Sequence, residues 1–215
     1  MPGGSGESSL GLRERKKQRT RATLIDAAIE LCEQRGFEQT TVEQIAAIAD
    51  VSPRTFSRYF ATKDAVCLAL VDDLVDLVAV ELARLPQDMN HLEALYRASV
   101  TMYRNTQNAA SGALTASRLM STLRIIVSSP TLRQATLEFR PHAVNVELAK
   151  RMGVDLDDRG LRLVAAVWAS IIMTALTDLG RTTNWRGVDV DAAVDRIDDT
   201  FAQFSGLVDG LVQPV

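Results

Sequence analysis

The sequence predicts an all-α protein, with a small N-terminal domain of three helices that contains a helix-turn-helix, followed by a larger helical domain. Three observations lead to this prediction. Apolar residues recur at spacings of three and four between turn-forming residues, and no alternating run is long enough for a strand. Two short helical patterns joined by a tight break fall between residues 42 and 60. Six of the 24 basic residues crowd into residues 13–21, ahead of these helices.

Composition limits the class of protein before any motif is considered. The chain has 215 residues, 47% of them hydrophobic, and a net charge of −3, so it can bury a core and is not disordered as a whole. Its 12 glycines and 2 cysteines exclude collagen-like and disulfide-rich classes. Cys32 and Cys67 lie in apolar helical patterns without metal-ligand spacing, which favours two reduced core thiols over a metal site.

The first two helices are predicted from periodicity and capping. Over residues 21–35 the apolar side chains recur at helical spacing, and the glycine that follows is predicted to end this helix. Two overlapping capping boxes are possible at the start of the second helix. One pairs Thr40 with Glu43, and the other pairs Thr41 with Gln44.

The third helix is predicted to begin after the break at residues 50–52. Ser52 can cap it with Pro53 as its first residue, a position where the missing N–H does no harm. Phe56 and Phe60 lie four residues apart and are predicted to face the core. The polar side chains of this helix are therefore expected to lie outside.

Beyond residue 63 the turn-forming residues divide the chain into six further helical segments. Pro141 falls inside one of them and is predicted to kink it. The last segment places apolar residues at alternating spacings of four and three, a narrow seam suited to another helix, and the segment before it is apolar over a wider arc. The predicted segments are 63–85, 89–107, 111–127, 131–152, 157–180 and 189–211.

Charge is distributed unevenly along the chain. The first 63 residues carry ten basic and eight acidic residues, whereas the remainder carries a net charge of −5. A basic cluster ahead of a compact domain is typical of proteins that bind polyanions. The second helix of a helix-turn-helix enters the DNA major groove, where its outward side chains reach base edges. The pattern thus predicts DNA binding, and the alternative is a helical module whose basic hairpin binds a protein partner.

The hydrogen-bonding groups of the outward residues of the third helix predict which part of the DNA each residue would contact. Arg54 can pair with guanine O6 and N7, and Thr55 and Ser57 can contact thymine methyl groups or phosphates. Tyr59 and Lys63 lie further along, where contacts with phosphates would fix the register on DNA. The N-terminus of the second helix also offers free backbone N–H groups to a phosphate.

The identities of the residues between positions 24 and 63 say more about the class of protein than their helical periodicity does. The gap-free stretch reads Ala-Ala-Ile-Glu-Leu-Cys at 27–32, Arg-Gly-Phe-Glu-Gln-Thr-Thr-Val at 35–42, Glu-Gln-Ile-Ala at 43–46, Ala-Asp-Val-Ser at 49–52 and Arg-Thr-Phe-Ser-Arg-Tyr-Phe at 54–60, with Lys63. It resembles the N-terminal domain of TetR-family transcriptional regulators. The larger domain is loosely similar to that of actinobacterial members, especially over residues 118–130.

The resemblance implies a dimer whose recognition helices enter successive major grooves of a near-palindromic operator. It also implies a larger domain that binds a small effector and releases DNA, most often in a repressor. Ser57 departs from the family, since many members carry tyrosine there, so their half-site preference does not transfer. The candidate DNA-contact residues are Arg21, Thr41, Ser52, Pro53, Arg54, Thr55, Ser57, Arg58, Tyr59 and Lys63.

The larger domain is expected to hold a pocket with apolar walls and a few polar points, which suits a hydrophobic or aromatic effector. Candidate pocket residues are Tyr96, Met102, Tyr103, Met120, Phe139, His142, Asn145, Trp168 and Met173. Each is also an ordinary core residue, so a regulator without any small-molecule ligand remains an alternative. The 63–85 helix, roughly 33 Å long at 1.5 Å per residue, could link such a pocket to the DNA-binding domain.

The last two helices are expected to pair with their symmetry mates in a four-helix interface. The same seam could instead bury against the core of its own chain. Candidate interface residues are Leu161, Val164, Trp168, Ile172, Val194, Ile197, Phe201, Phe204 and Val208.

Sequence motifs give no support to an enzyme. The chain has no glycine-rich phosphate loop, GxSxG or HExxH motif, and no cofactor or metal is expected. No membrane span or signal peptide is predicted, so a cytoplasmic location is expected. The predicted organisation is a flexible tail over residues 1–12, a helix-turn-helix DNA-binding domain over 13–63, and an effector-binding and dimerisation domain over 64–215.

Overall fold

The computed structural model describes residues 6–109, 114–138 and 142–212, and this part of the chain is all-α, as predicted. It contains ten α-helices and one 3-10 turn at Thr106–Asn108, with no strand in those ranges. The helices are α1 (Gly6–Arg35), α2 (Val42–Ile48), α3 (Pro53–Tyr59), α4 (Lys63–Ala83), α5 (His91–Asn105), α6 (Ala116–Ser128), α7 (Pro130–Leu137), α8 (Ala143–Met152), α9 (Arg159–Thr183) and α10 (Val190–Val212).

The chain divides into two compact units, unit 1 over Met1–Leu70 and unit 2 over Val71–Val215. The division falls inside α4, seven residues after the domain boundary at residue 63 that the sequence predicts. Helix α4 therefore contributes its first turns to unit 1 and the rest of its length to unit 2.

The N-terminal segment differs from the prediction. Helix α1 begins at Gly6, so residues 6–12 of the expected flexible tail are helical. The basic cluster at 13–21 is consequently part of a helix, with exposed side chains through position 19, rather than a separate arm. The physical reason is local, because the chain beyond Pro2 contains no further proline until after α2, and a lone glycine is tolerated within a helix.

The segment predicted as one kinked helix over residues 131–152 consists of two helices, α7 and α8. Pro141 itself lies outside the described residues. A proline at position 141 has no N–H to donate to the carbonyl of residue 137, four positions earlier. Helix α7 ends at Leu137, and Glu138 after it has an extended conformation with ψ of 129°.

Unit 1 is built on the apolar stripe of α1, which packs against α2. All four of its helices contribute to this core, and Phe56 is the buried anchor of α3, with no exposed surface. The buried apolar side chains of unit 1 are Leu24, Ile25, Ala27, Ala28, Leu31, Cys32, Phe37, Ile45, Ala46, Ala49, Phe56, Phe60, Val66, Cys67, Leu68, Ala69 and Leu70. The core thus fixes the face that α3 turns outward.

The two cysteines meet in this core. The Sγ atom of Cys32 on α1 lies 3.9 Å from Sγ of Cys67 on α4 and 3.8 Å from the hydroxyl oxygen of Thr40. Both thiols are free and buried, in keeping with the interpretation as core thiols. The hydrogen bond with Cys32, followed by burial, raises the pKa of the Cys67 thiol, which keeps it protonated at neutral pH.

Unit 2 is organised around α9, which contacts α5, α6, α7, α8 and α10. By length and composition α9 is the one described helix that could cross a membrane. Its inward side chains pack in the core of unit 2. These side chains are Leu161, Trp168, Ile171, Ala175, Leu176 and Leu179.

In the turn between α9 and α10, the indole of Trp185 lies close to the backbone of Gly180. Asn184 and Trp185 both adopt left-handed conformations, with φ of 51° and 57°. The indole then lies against Gly180, where a Cβ atom would be 2.6 Å from Nε1 of Trp185. A side chain at position 180 would therefore force the indole out of its site.

Gly180→Ala is expected to destabilise the protein by about 1–3 kcal/mol, because the added methyl group overpacks this contact. Thermal unfolding followed by circular dichroism measures the effect. Gly206→Ala on α10 is the matched control, since nothing lies within 4 Å of a Cβ atom there. That control should melt at or above the wild-type temperature. Equal melting of the Gly180 variant and wild type would contradict the packing described for Trp185.

Candidate nucleic-acid interface and ligand cavity

Hydrogen bonds between backbone groups hold the turn between α2 and α3 together. Asp50 has a φ of 52°, the left-handed conformation that ends many helices. The N–H of Val51 donates to the carbonyl of Ala46 at 2.9 Å, and the N–H of Asp50 donates to that of Ala47 at 3.2 Å. These two bonds form the Schellman pattern, so the two helices follow each other through a short, fixed turn.

Side-chain caps define the first residues of both helices. Of the two capping boxes that the sequence allows, the structure contains the one between Thr41 and Gln44. Thr40 instead donates its hydroxyl to the carbonyl of Gly36 at 2.9 Å. Ser52 caps α3 by accepting from the N–H of Thr55 at 3.1 Å, as predicted. The first turns of α2 and α3 are thus both closed by side-chain hydrogen bonds.

The anchor of α3 is a pair of phenylalanines. Phe56 and Phe60 are buried, as predicted, with ring centroids 5.9 Å apart. Arg54, Ser57 and Arg58 are exposed on the opposite side. The side chain of Arg54 has no hydrogen bond or ion pair within the described ranges. Its guanidinium is therefore available to a partner outside the chain.

The remaining candidate contact residues are partly engaged within unit 1. The Ser52 and Thr55 hydroxyls lie 3.0 Å apart, and Ser57 donates to the Pro53 carbonyl at 3.1 Å. Tyr59 is half-buried, and its hydrogen bond with the Thr20 hydroxyl lowers its pKa. A hydroxyl group has one hydrogen to donate. A hydroxyl that already donates within the protein can still accept a hydrogen bond, but it cannot donate to an acceptor atom on a DNA base.

Arg21 and Lys63 each lie over an aromatic ring. The guanidinium of Arg21 is 5.5 Å from the Phe60 ring centroid, and the ammonium of Lys63 is 4.3 Å from that of Phe37. Both side chains are half-buried, so their apolar stems belong to the packing of unit 1.

The structure gives Lys63 a different role from the predicted phosphate contact. Its Nζ donates to the backbone carbonyls of Phe37 at 2.9 Å, Glu38 at 3.4 Å and Thr40 at 3.0 Å. An ammonium group has three N–H donors, so these bonds use all of them. Lys63 therefore holds the turn that leads into α2. The sequence contains no signal for this role, because the carbonyls come from backbone more than twenty residues away.

Unit 2 contains a cavity of about 210 Å³. Six of the nine candidate pocket residues line it, namely Met102, Tyr103, His142, Asn145, Trp168 and Met173. Tyr96 and Met120 do not line this cavity and pack against the core, and Phe139 lies outside the described residues. The cavity walls are mainly apolar, with contributions from α4, α5, α6, α7, α8 and α9.

Tyr96 is not part of the cavity wall because its ring packs against α10. It stacks on Phe201 of α10, with centroids 4.5 Å apart and planes 6° from parallel. Burial, followed by a hydrogen bond with Asp198, raises the pKa of its hydroxyl. Tyr96 therefore joins α5 to α10 instead of facing a ligand.

Sequence reasoning missed the contribution of α4 and three polar residues, Ser99, Thr136 and Glu138. The second half of α4 supplies Val71, Leu74, Val75 and Val78 to the cavity wall. Ser99 on α5 also lines the cavity. Its position four residues before Tyr103 could have identified it, because residues four apart share one face of a helix.

Four candidate interface residues are buried in the core of their own chain. Leu161, Trp168, Val194 and Ile197 belong to the core cluster of unit 2, so they are not available to a second chain. The reason is that the α10 seam packs on α9 of the same molecule. The other five, Val164, Ile172, Phe201, Phe204 and Val208, keep exposed surface.

No group of three or more His, Cys, Asp or Glu side chains that could hold a metal ion was found among the described residues.

Comparison with known proteins gives the family. Residues 24–70 match the family described as bacterial regulatory proteins, tetR family. The HTH-type transcriptional regulator TcmR of Streptomyces glaucescens is 36% identical over 172 residues, which cover 75% of this chain and 73% of TcmR. The regulator RutR of Escherichia coli K12 is 31% identical over 87 residues, 40% of this chain and 41% of RutR.

Solved structures agree on the fold. Thermus thermophilus FadR, a TetR-family transcriptional repressor solved in complex with lauroyl-CoA, superposes with a TM-score of 0.55 at 22% identity. The match covers 91% of this chain and 96% of FadR. A TetR-family regulator from Streptomyces coelicolor gives a TM-score of 0.50 at 16% identity, over 86% of this chain and 98% of its own. The solved structures agree on the fold alone, whereas the TcmR relationship and the family match over residues 24–70 show that the chain belongs to the TetR family of DNA-binding transcriptional regulators.

Proposed function

We propose that the protein is a repressor that binds a near-palindromic operator as a homodimer and is released by a small apolar effector in the cytoplasm. The proposal of DNA binding rests on Arg54, which is exposed and unpaired on α3, a helix capped by Ser52. Family membership as a DNA-binding regulator argues against the alternative of a protein-binding hairpin.

Within this proposal, Arg54 reads a base and the surrounding residues position α3. A guanidinium without an internal partner can form the bidentate pair with guanine O6 and N7. Thr41, Ser52 and Arg58 are exposed around it and would contact phosphates. The exposed basic residues of α1 add non-specific attraction to the DNA backbone.

The dimer is proposed to form through the outward faces of α9 and α10. Leu163 is 64% exposed, Leu207 66% and Val208 38%, values unusual for large apolar side chains. Only 28% of the most apolar stretch of α9 is buried inside the chain. A second copy of the same two helices would cover these residues in an isologous interface.

The effector site is proposed to be the cavity of unit 2. Its volume of about 210 Å³ and its apolar walls favour a small apolar ligand over a core that only supports a dimer. The complex of FadR with lauroyl-CoA shows that a relative with this fold holds a ligand with an apolar chain. Helix α4 would transmit binding, because it lines the cavity and also contributes to unit 1. The effector must bind the released state more tightly than the DNA-bound state.

DNA binding is tested by fluorescence anisotropy with the duplex from upstream of the protein's own gene. A scrambled duplex of equal length is the reference, and both are titrated at two salt concentrations. We expect tighter binding to the upstream duplex, and a steep loss of affinity with salt as phosphate contacts are screened. Equal, weak binding to both duplexes would be followed by selection from random DNA. If no preferred site emerged from that selection, the proposal would be wrong.

Arg54→Ala is expected to cost about 1–3 kcal/mol at one base position, which is roughly a 5- to 150-fold loss of affinity for the preferred duplex. Affinity for the scrambled duplex should fall much less. Arg35→Ala is the matched control, since it removes one exposed arginine from the end of α1 and not from α3. Unchanged discrimination in Arg54→Ala would show that α3 does not read the bases through this residue.

A further inference from the structure

Two hydroxyl groups face the cavity of unit 2 from one side of α5. Ser99 and Tyr103 lie one helical turn apart, and both line the cavity. Their side chains are only 3% and 4% exposed. Neither hydroxyl forms a hydrogen bond among the described residues of the chain, and neither oxygen belongs to the fully buried polar atoms that lack a partner, so both keep accessible surface on the cavity side.

Other buried hydroxyls of unit 2 are satisfied within the protein. Thr122 donates to the carbonyl of Arg118 at 2.8 Å, and Thr106 donates to the carbonyl of Tyr103 at 2.6 Å. Ser129 accepts from the N–H of Leu132 at 3.2 Å. The Ser99 and Tyr103 hydroxyls differ from these three because they face the cavity instead of a partner in the protein, and alanine and phenylalanine would fill the same positions without a polar group there. The two free hydroxyls are therefore unexplained by packing.

The chemistry of these hydroxyls is that of neutral donors and acceptors. Burial raises the pKa of Tyr103, so its phenol keeps its proton at neutral pH. Around the rest of the described lining, the other ionisable side chains are Glu138 and His142, and Nδ1 of His142 lies 3.3 Å from a carboxylate oxygen of Asp72. Described lining residues thus provide no lysine or arginine to balance an anionic ligand.

We propose that the Ser99–Tyr103 pair recognises an uncharged oxygen, a hydroxyl or a carbonyl, on an otherwise apolar effector. This inference rests on the proposed effector function of the cavity and adds the chemical class of the ligand. The apolar walls bind the body of the ligand, and the two hydroxyls select for the oxygen. A site built to hydrogen-bond a ligand oxygen discriminates against the analogue that lacks it.

The test uses two probes of nearly equal shape, 1-naphthol and 1-methylnaphthalene, which differ by a hydroxyl in place of a methyl group. Isothermal titration calorimetry at neutral pH measures the affinity of each probe for the full-length protein. We compare wild type with the double variant Ser99→Ala, Tyr103→Phe. The matched control is Thr122→Val, which removes a buried hydroxyl of unit 2 that does not line the cavity.

The double variant is expected to lose about tenfold in affinity for 1-naphthol relative to 1-methylnaphthalene, the effect of removing two hydrogen bonds. Thr122→Val should keep the wild-type ratio between the two probes. An unchanged ratio in the double variant, with both probes still bound, would overturn the inference and leave the effector site intact. Binding of neither probe by a wild-type protein that still binds its operator would overturn the effector proposal and this inference together.

Discussion

Lys63→Met is expected to lower the stability of unit 1 by roughly 2–3 kcal/mol, which for a unit of this size is about 8–24 °C in melting temperature. Methionine keeps most of the apolar stem, which lies over the Phe37 ring, but it cannot donate to the three carbonyls of the turn before α2. Those carbonyls belong to the segment that presents Thr41, the cap of α2. Operator binding should therefore weaken because its scaffold is loosened.

Lys17→Met separates this effect from a lost phosphate contact. Both variants remove one positive charge from unit 1, but Lys17 is exposed on α1 and 3.9 Å from Glu14. We expect it to melt as wild type and to bind DNA with a shallower salt dependence. Melting curves and anisotropy titrations at several salt concentrations distinguish the two. If Lys63→Met instead melted as wild type and bound DNA with a shallower salt dependence, the result would contradict this structural role. It would support the phosphate contact that the sequence predicts.

Phe56→Ala is expected to destabilise unit 1 by about 3–5 kcal/mol, because it empties the fully buried anchor of α3. The neighbouring Phe60 ring, 5.9 Å away, would lose its packing partner. Specific and non-specific DNA binding should both be lost, unlike in Arg54→Ala, where mainly discrimination is lost. Circular dichroism and anisotropy on the same preparation measure the two effects.

Phe56→Leu provides the graded control. It keeps most of the apolar volume, so its melting temperature and DNA affinity should fall between those of Phe56→Ala and wild type. Unit 2 should keep its cavity in all three proteins, and probe binding measures this directly. A wild-type melting curve for Phe56→Ala would contradict the buried position of this ring.

Local sequence was sufficient to predict the helix-turn-helix of unit 1, because α2, the turn and α3 are specified mainly by adjacent residues. The cap at Ser52, the proline in the first turn of α3 and the spacing of Phe56 and Phe60 all act within one or two turns. The choice between Thr40 and Thr41 as the cap of α2 was open in the sequence. It depends on the Thr40 hydroxyl reaching the carbonyl of Gly36, which only the folded turn shows.

The contacts that sequence reasoning could not foresee join residues that are distant in sequence. Lys63 binds carbonyls more than twenty positions away, and the α10 seam packs on α9 of the same chain. A helical pattern shows which face is apolar but not which partner covers it. For the same reason the sequence could not separate Tyr96, which stacks on Phe201, from Tyr103, which lines the cavity.

The buried cysteine pair has a practical consequence for measuring local opening. The chain has 2 cysteines, and both lie in the core of unit 1. A thiol reagent added to the native protein can react only after this unit opens, whatever happens in unit 2. The rate of thiol labelling therefore measures the opening of the DNA-binding unit alone, in the unmodified wild-type chain. Repeating the measurement with operator DNA or an effector would show how strongly each ligand holds this unit closed.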